Sequence, residues 1–141
     1  MKNKNIIFTI AAIIILVAVA VLSVPKINTR TWQLVFASKK EPYITVAHKA
    51  GMELSDVSFH GASQEIDLIL EASGGKITIT DNTNNKTYTG SYKRSNRWRS
   101  LFRKDSYSVI IEGVEGTANI SSNSTMFVSI GDYYLDFAVF D

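Results

Sequence analysis

The chain has 141 residues and no cysteine, which excludes disulfides, thiolate catalysis, cysteine-based metal sites and a lipid-modified cysteine. Its 15 Lys and Arg exceed its 13 Asp and Glu by two, an excess that sits in Lys2 and Lys4. Beyond residue 24 the charges balance, so a pI of about 8.8 is no argument for a nucleic-acid partner.

Residues 1–5 read as a basic tail. The run from Ile6 to Val24 follows, with Thr9 and Ser23 as its only polar residues. As a helix this run is about 28 Å long, close to the roughly 30 Å hydrocarbon core of a bilayer. A cleavable signal peptide has an apolar region of about 7–15 residues, so the longer run here predicts an uncleaved transmembrane signal anchor over 6–24; Ala18-Val-Ala20 is the alternative cleavage site. Pro25 ends the helix. Lys2 and Lys4 keep the tail inside, whereas Lys26, Arg30, Lys39 and Lys40 crowd the other end. Long domains translocate largely regardless of such charges, so the expectation is a single-pass protein of the cell membrane with its domain extracytoplasmic.

Residues 25–30 read as a polar linker, reaching at most about 20 Å when extended. The single domain predicted over 31–141 shows the period of two that strands require. Trp32, Leu34 and Phe36 share one face, then Ile44, Val46 and His48, then Val57 and Phe59. A helical turn fits only at Gly51–Asp56, too short to stand alone. Ile66, Leu68 and Leu70 alternate with Asp67 and Glu71, and Gly74-Gly75 predicts a tight hairpin turn. Lys76–Asp81 and Thr87–Tyr92 flank an Asn-rich loop; Tyr107, Val109 and Ile111 alternate in the next strand. Gly113–Gly116 predicts a turn, followed by strands at Ala118 and Ile120, at Met126–Ile130, and at Tyr133–Val139 after Gly131-Asp132. Eight to ten short strands without a helical period predict an all-β fold. An antiparallel β-sandwich is the expectation, with a small barrel as the alternative.

Few residues suggest chemistry. His48 and His60 with Asp56 are too few and too unpatterned to define a metal site. Ser73-Gly-Gly-Lys76 matches a Ser-x-x-Lys pattern only formally, because it falls on a hairpin turn. Asp81, Thr83 and Asn85 have calcium-loop spacing, but Lys86 and Tyr92 occupy the positions that need glycine and glutamate. The sequence therefore predicts no catalytic residues, no metal and no cofactor. A small hydrolase using His48 or His60 is the weakest of the functional alternatives.

The strongest local signal is the segment Lys93, Arg94, Arg97, Trp98, Arg99, Leu101, Phe102, Arg103 and Lys104, with no acid until Asp105. One reading is a solvated loop whose apolar residues cap the end of the domain. The functional reading is a surface that faces anionic lipid or an anionic wall polymer. Each Lys or Arg near a bilayer contributes about 1 kcal/mol of attraction, and Trp and Phe favour the interfacial zone. The expectation is thus a membrane-anchored, non-catalytic envelope interaction module, with no nucleic acid. A subunit of a larger envelope complex, docking a protein through Trp98–Phe102, is the alternative.

Overall fold

The computed structural model describes residues 9–17, 25–52, 63–95, 105–122 and 124–140. The alternation of apolar and polar residues resolves into β1 (Trp32–Lys39), β2 (Ile44–Lys49), β3 (Gln64–Ile66), β4 (Leu68–Ser73), β5 (Lys76–Asp81), β6 (Lys86–Arg94), β7 (Asp105–Ile111), β8 (Val114–Ser122), β9 (Thr125–Ile130) and β10 (Tyr133–Ala138). From β4 to β10 each strand pairs antiparallel with the next. The ring then closes, because β1 pairs with β10 on one side and with β4 on the other.

This architecture is a closed eight-stranded antiparallel barrel, so the sandwich expectation is corrected in favour of the barrel alternative. Alternation cannot separate the two, since both bury one face of every strand. Closure depends on local bends that alternation does not report. The registers skip a residue at Val35 against β10, at Val46 against β1 and at Ser121 against β9. Such bulges bend a strand and increase its twist. The Val35 bulge also moves the buried face of β1 from Trp32 and Leu34 to Ala37, leaving Phe36 outside the core. In β2 the Val46 bulge leaves His48 inward as expected but turns Thr45 inward in place of Ile44 and Val46. Two glycines permit close strand approach. A Cβ on Gly90 would lie 2.1 Å from the Ile110 carbonyl oxygen, and one on Gly116 would lie 2.4 Å from that of Ser129. Gly116 therefore belongs inside β8, and the expected Gly113–Gly116 turn shrinks to Glu112-Gly113, both at positive φ.

Side chains fill the barrel, among them Trp32, Leu34, Leu70, Ile77, Tyr107 and Phe137, each at most 1 % exposed. The ring is less regular on one side. Only Trp32 and Gln33 of β1 pair with β4; its second half pairs with β2, which pairs in parallel with β3. His48 lies in this seam, with Nδ1 2.7 Å from Ser63 Oγ.

The chain enters at one end of the barrel. Residues expected to form a polar linker instead make a short 3-10 helix, Lys26–Thr29, and Ile27 is fully buried against the core. Burying such a side chain is worth about 1.5–3 kcal/mol. This entry end also holds the Gly74-Gly75 turn, the ends of β6 and β8, and the starts of β7 and β9.

Residues 9–17 are helical, and Ile10, Ile13, Ile14, Ile15, Leu16 and Val17 are all more than half exposed. Among the described residues no helix is long and apolar enough to cross a membrane. The rest of the expected anchor, 6–8 and 18–24, lies outside the described residues, as does the expected turn and strand over 53–62.

Candidate anion-facing site at the entry end of the barrel

The basic segment is held by its two flanks. Lys93 and Arg94 end β6, whose inward positions are Tyr88, Gly90, Tyr92 and Arg94; Lys93 therefore points out and is exposed, while Arg94 turns in. The β6–β7 ladder extends one step further, with the Ser95 N–H donating to the Ser106 carbonyl at 2.9 Å. Arg97, Trp98, Arg99, Leu101, Phe102, Arg103 and Lys104 lie outside the described residues. Their attachment points, Ser95 and Asp105, lie at the entry end.

Arg94 is not available to an external anion. Its Nη2 donates to both carboxylate oxygens of Asp105 at 3.0 Å, with the arginine side chain 10 % exposed and the aspartate fully buried. A buried carboxylate needs its lone pairs satisfied, and here they are. Asp105 Oδ2 also accepts from the Tyr107 hydroxyl at 2.7 Å and from the Lys26 backbone N–H at 3.3 Å. The Tyr107 oxygen in turn accepts from the Ile27 N–H at 3.4 Å, and the Ile27 carbonyl accepts from Trp32 Nε1 at 3.1 Å. Burial first, then the hydrogen bond and negative charge of Asp105, push the Tyr107 hydroxyl above its ordinary pKa, so it stays a donor. A second link runs beside the first. The Tyr92 hydroxyl donates to Asn28 Oδ1, and the Tyr92 ring packs edge-on against Tyr107 at 5.8 Å.

The consequence is positional: one network holds Lys26, Ile27 and Asn28 together with the residues that open and close the basic segment. Sequence reasoning picks out the cations and misses the groups that hold them. Asp105 reads as the acid that ends the run, Tyr107 as one of an alternating strand set, and Tyr92 as the end of a hairpin strand. The available signal is the register, which aligns Arg94 with Tyr107 across the hairpin.

Elsewhere, His48 is 2 % exposed, and its Nε2 has no hydrogen-bond partner among the described residues; the Glu65 carboxylate is 4.0 Å away. His60 and Asp56 lie outside the described residues. Among the described residues no group of three His, Cys, Asp or Glu side chains is placed to hold a metal ion. The Asp81 carboxylate accepts from Asn84 N–H and Nδ2 at 3.0 and 2.8 Å, which makes the loop with calcium-like spacing a self-bonded turn. No protein-family model, curated protein or solved structure matches this chain.

Proposed function

We propose that this chain is a single-pass membrane protein of the cell envelope whose extracytoplasmic barrel is a non-catalytic interaction module. Residues 6–24 are its anchor, and the segment from Lys93 to Lys104 faces anionic lipid or an anionic wall polymer. The observation that carries this reading is the Arg94–Asp105 pair bonded to the Lys26 backbone. It fixes the flanks of the basic segment beside the residue that follows Pro25, where the chain arrives from the apolar run. The exposed apolar side chains of residues 9–17 support the anchor, because a helix that is apolar all round needs a non-aqueous environment. Ile27 shortens the tether further by docking it into the barrel.

The test uses the full chain reconstituted with vesicles of neutral or anionic lipid. Replacing Arg97, Arg99 and Arg103 with Gln should lower the added affinity for a second, anionic vesicle and flatten its salt dependence. Equal affinity of wild type and variant at low salt would refute the reading. Protease treatment of intact cells decides the orientation: a protected barrel would place it inside.

One observation favours a protein partner as a second reading. Phe127 and Tyr134, 5.2 Å apart on the outer wall of β9 and β10, form an aromatic pair there with Phe127 exposed. In-cell crosslinking separates the two, since a lipid-facing module yields no discrete partner band.

A further inference from the structure

An open cavity of about 640 Å³ lies on the outside of the barrel at the entry end, between the 3-10 helix and the β4–β5 hairpin. Its lining includes Asn28, Arg30, Glu71, Ser73, Lys76 and Thr78. The pairing of β4 with β5 sets four of these on one outward face. Glu71 is opposite Thr78 and Ser73 is opposite Lys76, so Glu71 and Lys76 are diagonal neighbours. Arg30 enters from the segment leading into β1. Arg30, Glu71 and Lys76 are exposed, and no salt bridge joins them to one another or to any other described residue. Asn28 has its Oδ1 occupied by the Tyr92 hydroxyl, which leaves its Nδ2 as the free donor.

The chemistry of this set is specific. Two cations, an amide donor and two hydroxyls suit the oxygens of a phosphate. A bare phosphate would meet repulsion from the Glu71 carboxylate at the same cavity. A phosphodiester that carries a primary amine removes that conflict, because the amine takes Glu71 while the phosphate takes Arg30 and Lys76. We propose that this cavity binds an amine-bearing phosphodiester of the phosphoethanolamine type. The proposal rests on the membrane-proximal reading above, which makes a lipid headgroup the natural source, and a soluble diester has the same chemistry.

The test uses the full chain in maltoside micelles, which contain no phosphate, observed by amide NMR. Glycerophosphoethanolamine should shift the Asn28 side-chain amide and the Gly74 and Gly75 backbone amides in a saturable way, and inorganic phosphate should do so more weakly. Replacing Arg30 and Lys76 together with Gln should weaken the apparent affinity about thirtyfold, the combined effect of two cations near an anionic group. Both sites are exposed, so the remaining spectrum reports that the barrel is intact. Glu71→Gln should abolish the preference for the amine-bearing probe over inorganic phosphate. Absence of saturable shifts, or equal affinity in the doubly substituted variant, would overturn the site, and an unchanged preference in Glu71→Gln would overturn the amine assignment. In nanodiscs, the same shifts with phosphatidylethanolamine but not phosphatidylcholine assign the headgroup as source; shifts with the free diester alone assign a soluble ligand and overturn the lipid source. The Arg97, Arg99 and Arg103 variant should leave this titration unchanged, so failure of the basic-segment reading is distinguishable from failure of this one.

Discussion

Replacing Asp105 with Asn tests whether the entry end is held by one network. At 3.0 Å the Arg94–Asp105 attraction amounts to about 5–6 kcal/mol before desolvation, taking an effective dielectric of about 20. Desolvation offsets most of that, but breaking a buried pair by removing one partner costs about 3–5 kcal/mol, and the Arg94 side chain is only 10 % exposed. The Tyr107 hydroxyl and the Lys26 N–H lose a charged acceptor at the same time. In urea, with a slope of about 2 kcal/mol/M, the transition midpoint should fall by roughly 2 M. The assay is fluorescence of Trp32, whose indole is fully buried, in a Trp98→Phe background so that one tryptophan reports. Arg94→Met alone should lose a comparable amount, whereas Arg94→Met combined with Asp105→Leu should recover part of it, because an apolar pair of similar volume avoids the ionic desolvation penalty while the Tyr107 hydroxyl and the Lys26 N–H still lose this acceptor. A midpoint for Asp105→Asn within about 0.3 M of the parent, or strict additivity of the two single substitutions, would refute the reasoning.

Three further outcomes follow from other parts of the chain. Gly90→Ala should destabilise the barrel by about 2–3 kcal/mol, because its Cβ would sit 2.1 Å from the Ile110 carbonyl oxygen; thermal unfolding should show a loss of roughly 10 °C or more. Asp136 is half-buried in a groove with Val35, Phe36, Phe127 and Ala138, and burial raises its pKa above the usual carboxylate value. A raised folded pKa means that stability falls as pH rises through the carboxylate range, so Asp136→Asn should raise the urea midpoint at neutral pH, with the gain disappearing at acid pH where both side chains are neutral. Ile14→Asp, placed in the exposed apolar stretch of residues 9–17, should release the protein from membranes on alkaline carbonate extraction, since an acid at a helix centre costs about 2.5–3.5 kcal/mol of insertion free energy.

The β class and most strand positions are legible in the sequence because burial of one face imposes a period of two. Tyr107, Val109 and Ile111 are inward as their alternation predicts, and Gly74-Gly75 turns the chain where expected. Phe36 and Val46 show where that logic ends. A bulge adds one residue and flips every later side chain, and no local signal at Val35 or Val46 announces it. Gly116 is the converse case, a glycine that reads as a turn but serves a close strand approach. Closure itself is a property of the β1–β10 pairing, between residues a hundred positions apart, which periodicity cannot address. For the candidate site, the cations of the basic segment are visible as composition. Asp105 and Tyr107 are not, because their role comes from contacts with Lys26 and Ile27 some eighty residues away.

That separation explains why a charged pair is kept at the end of an otherwise apolar barrel. A hydrophobic pair would close the β6–β7 ladder at least as well, so stability alone does not favour Arg94 and Asp105. An apolar contact, however, is indifferent to which backbone groups lie against it. A buried carboxylate is not: it requires donors, and Asp105 takes them from Arg94, Tyr107 and Lys26. The 3-10 helix is seated so that it provides the Lys26 N–H to Asp105 and the Ile27 N–H to Tyr107 together. The pair therefore specifies how residues 26–30 seat on the barrel, and with it the position of Asn28 and Arg30 at the cavity and of Ser95 and Asp105 at the flanks of the basic segment. The apolar double variant should therefore keep a higher urea midpoint than either single variant and lose the glycerophosphoethanolamine-induced shift at Asn28. Retention of both would assign the pair to stability alone.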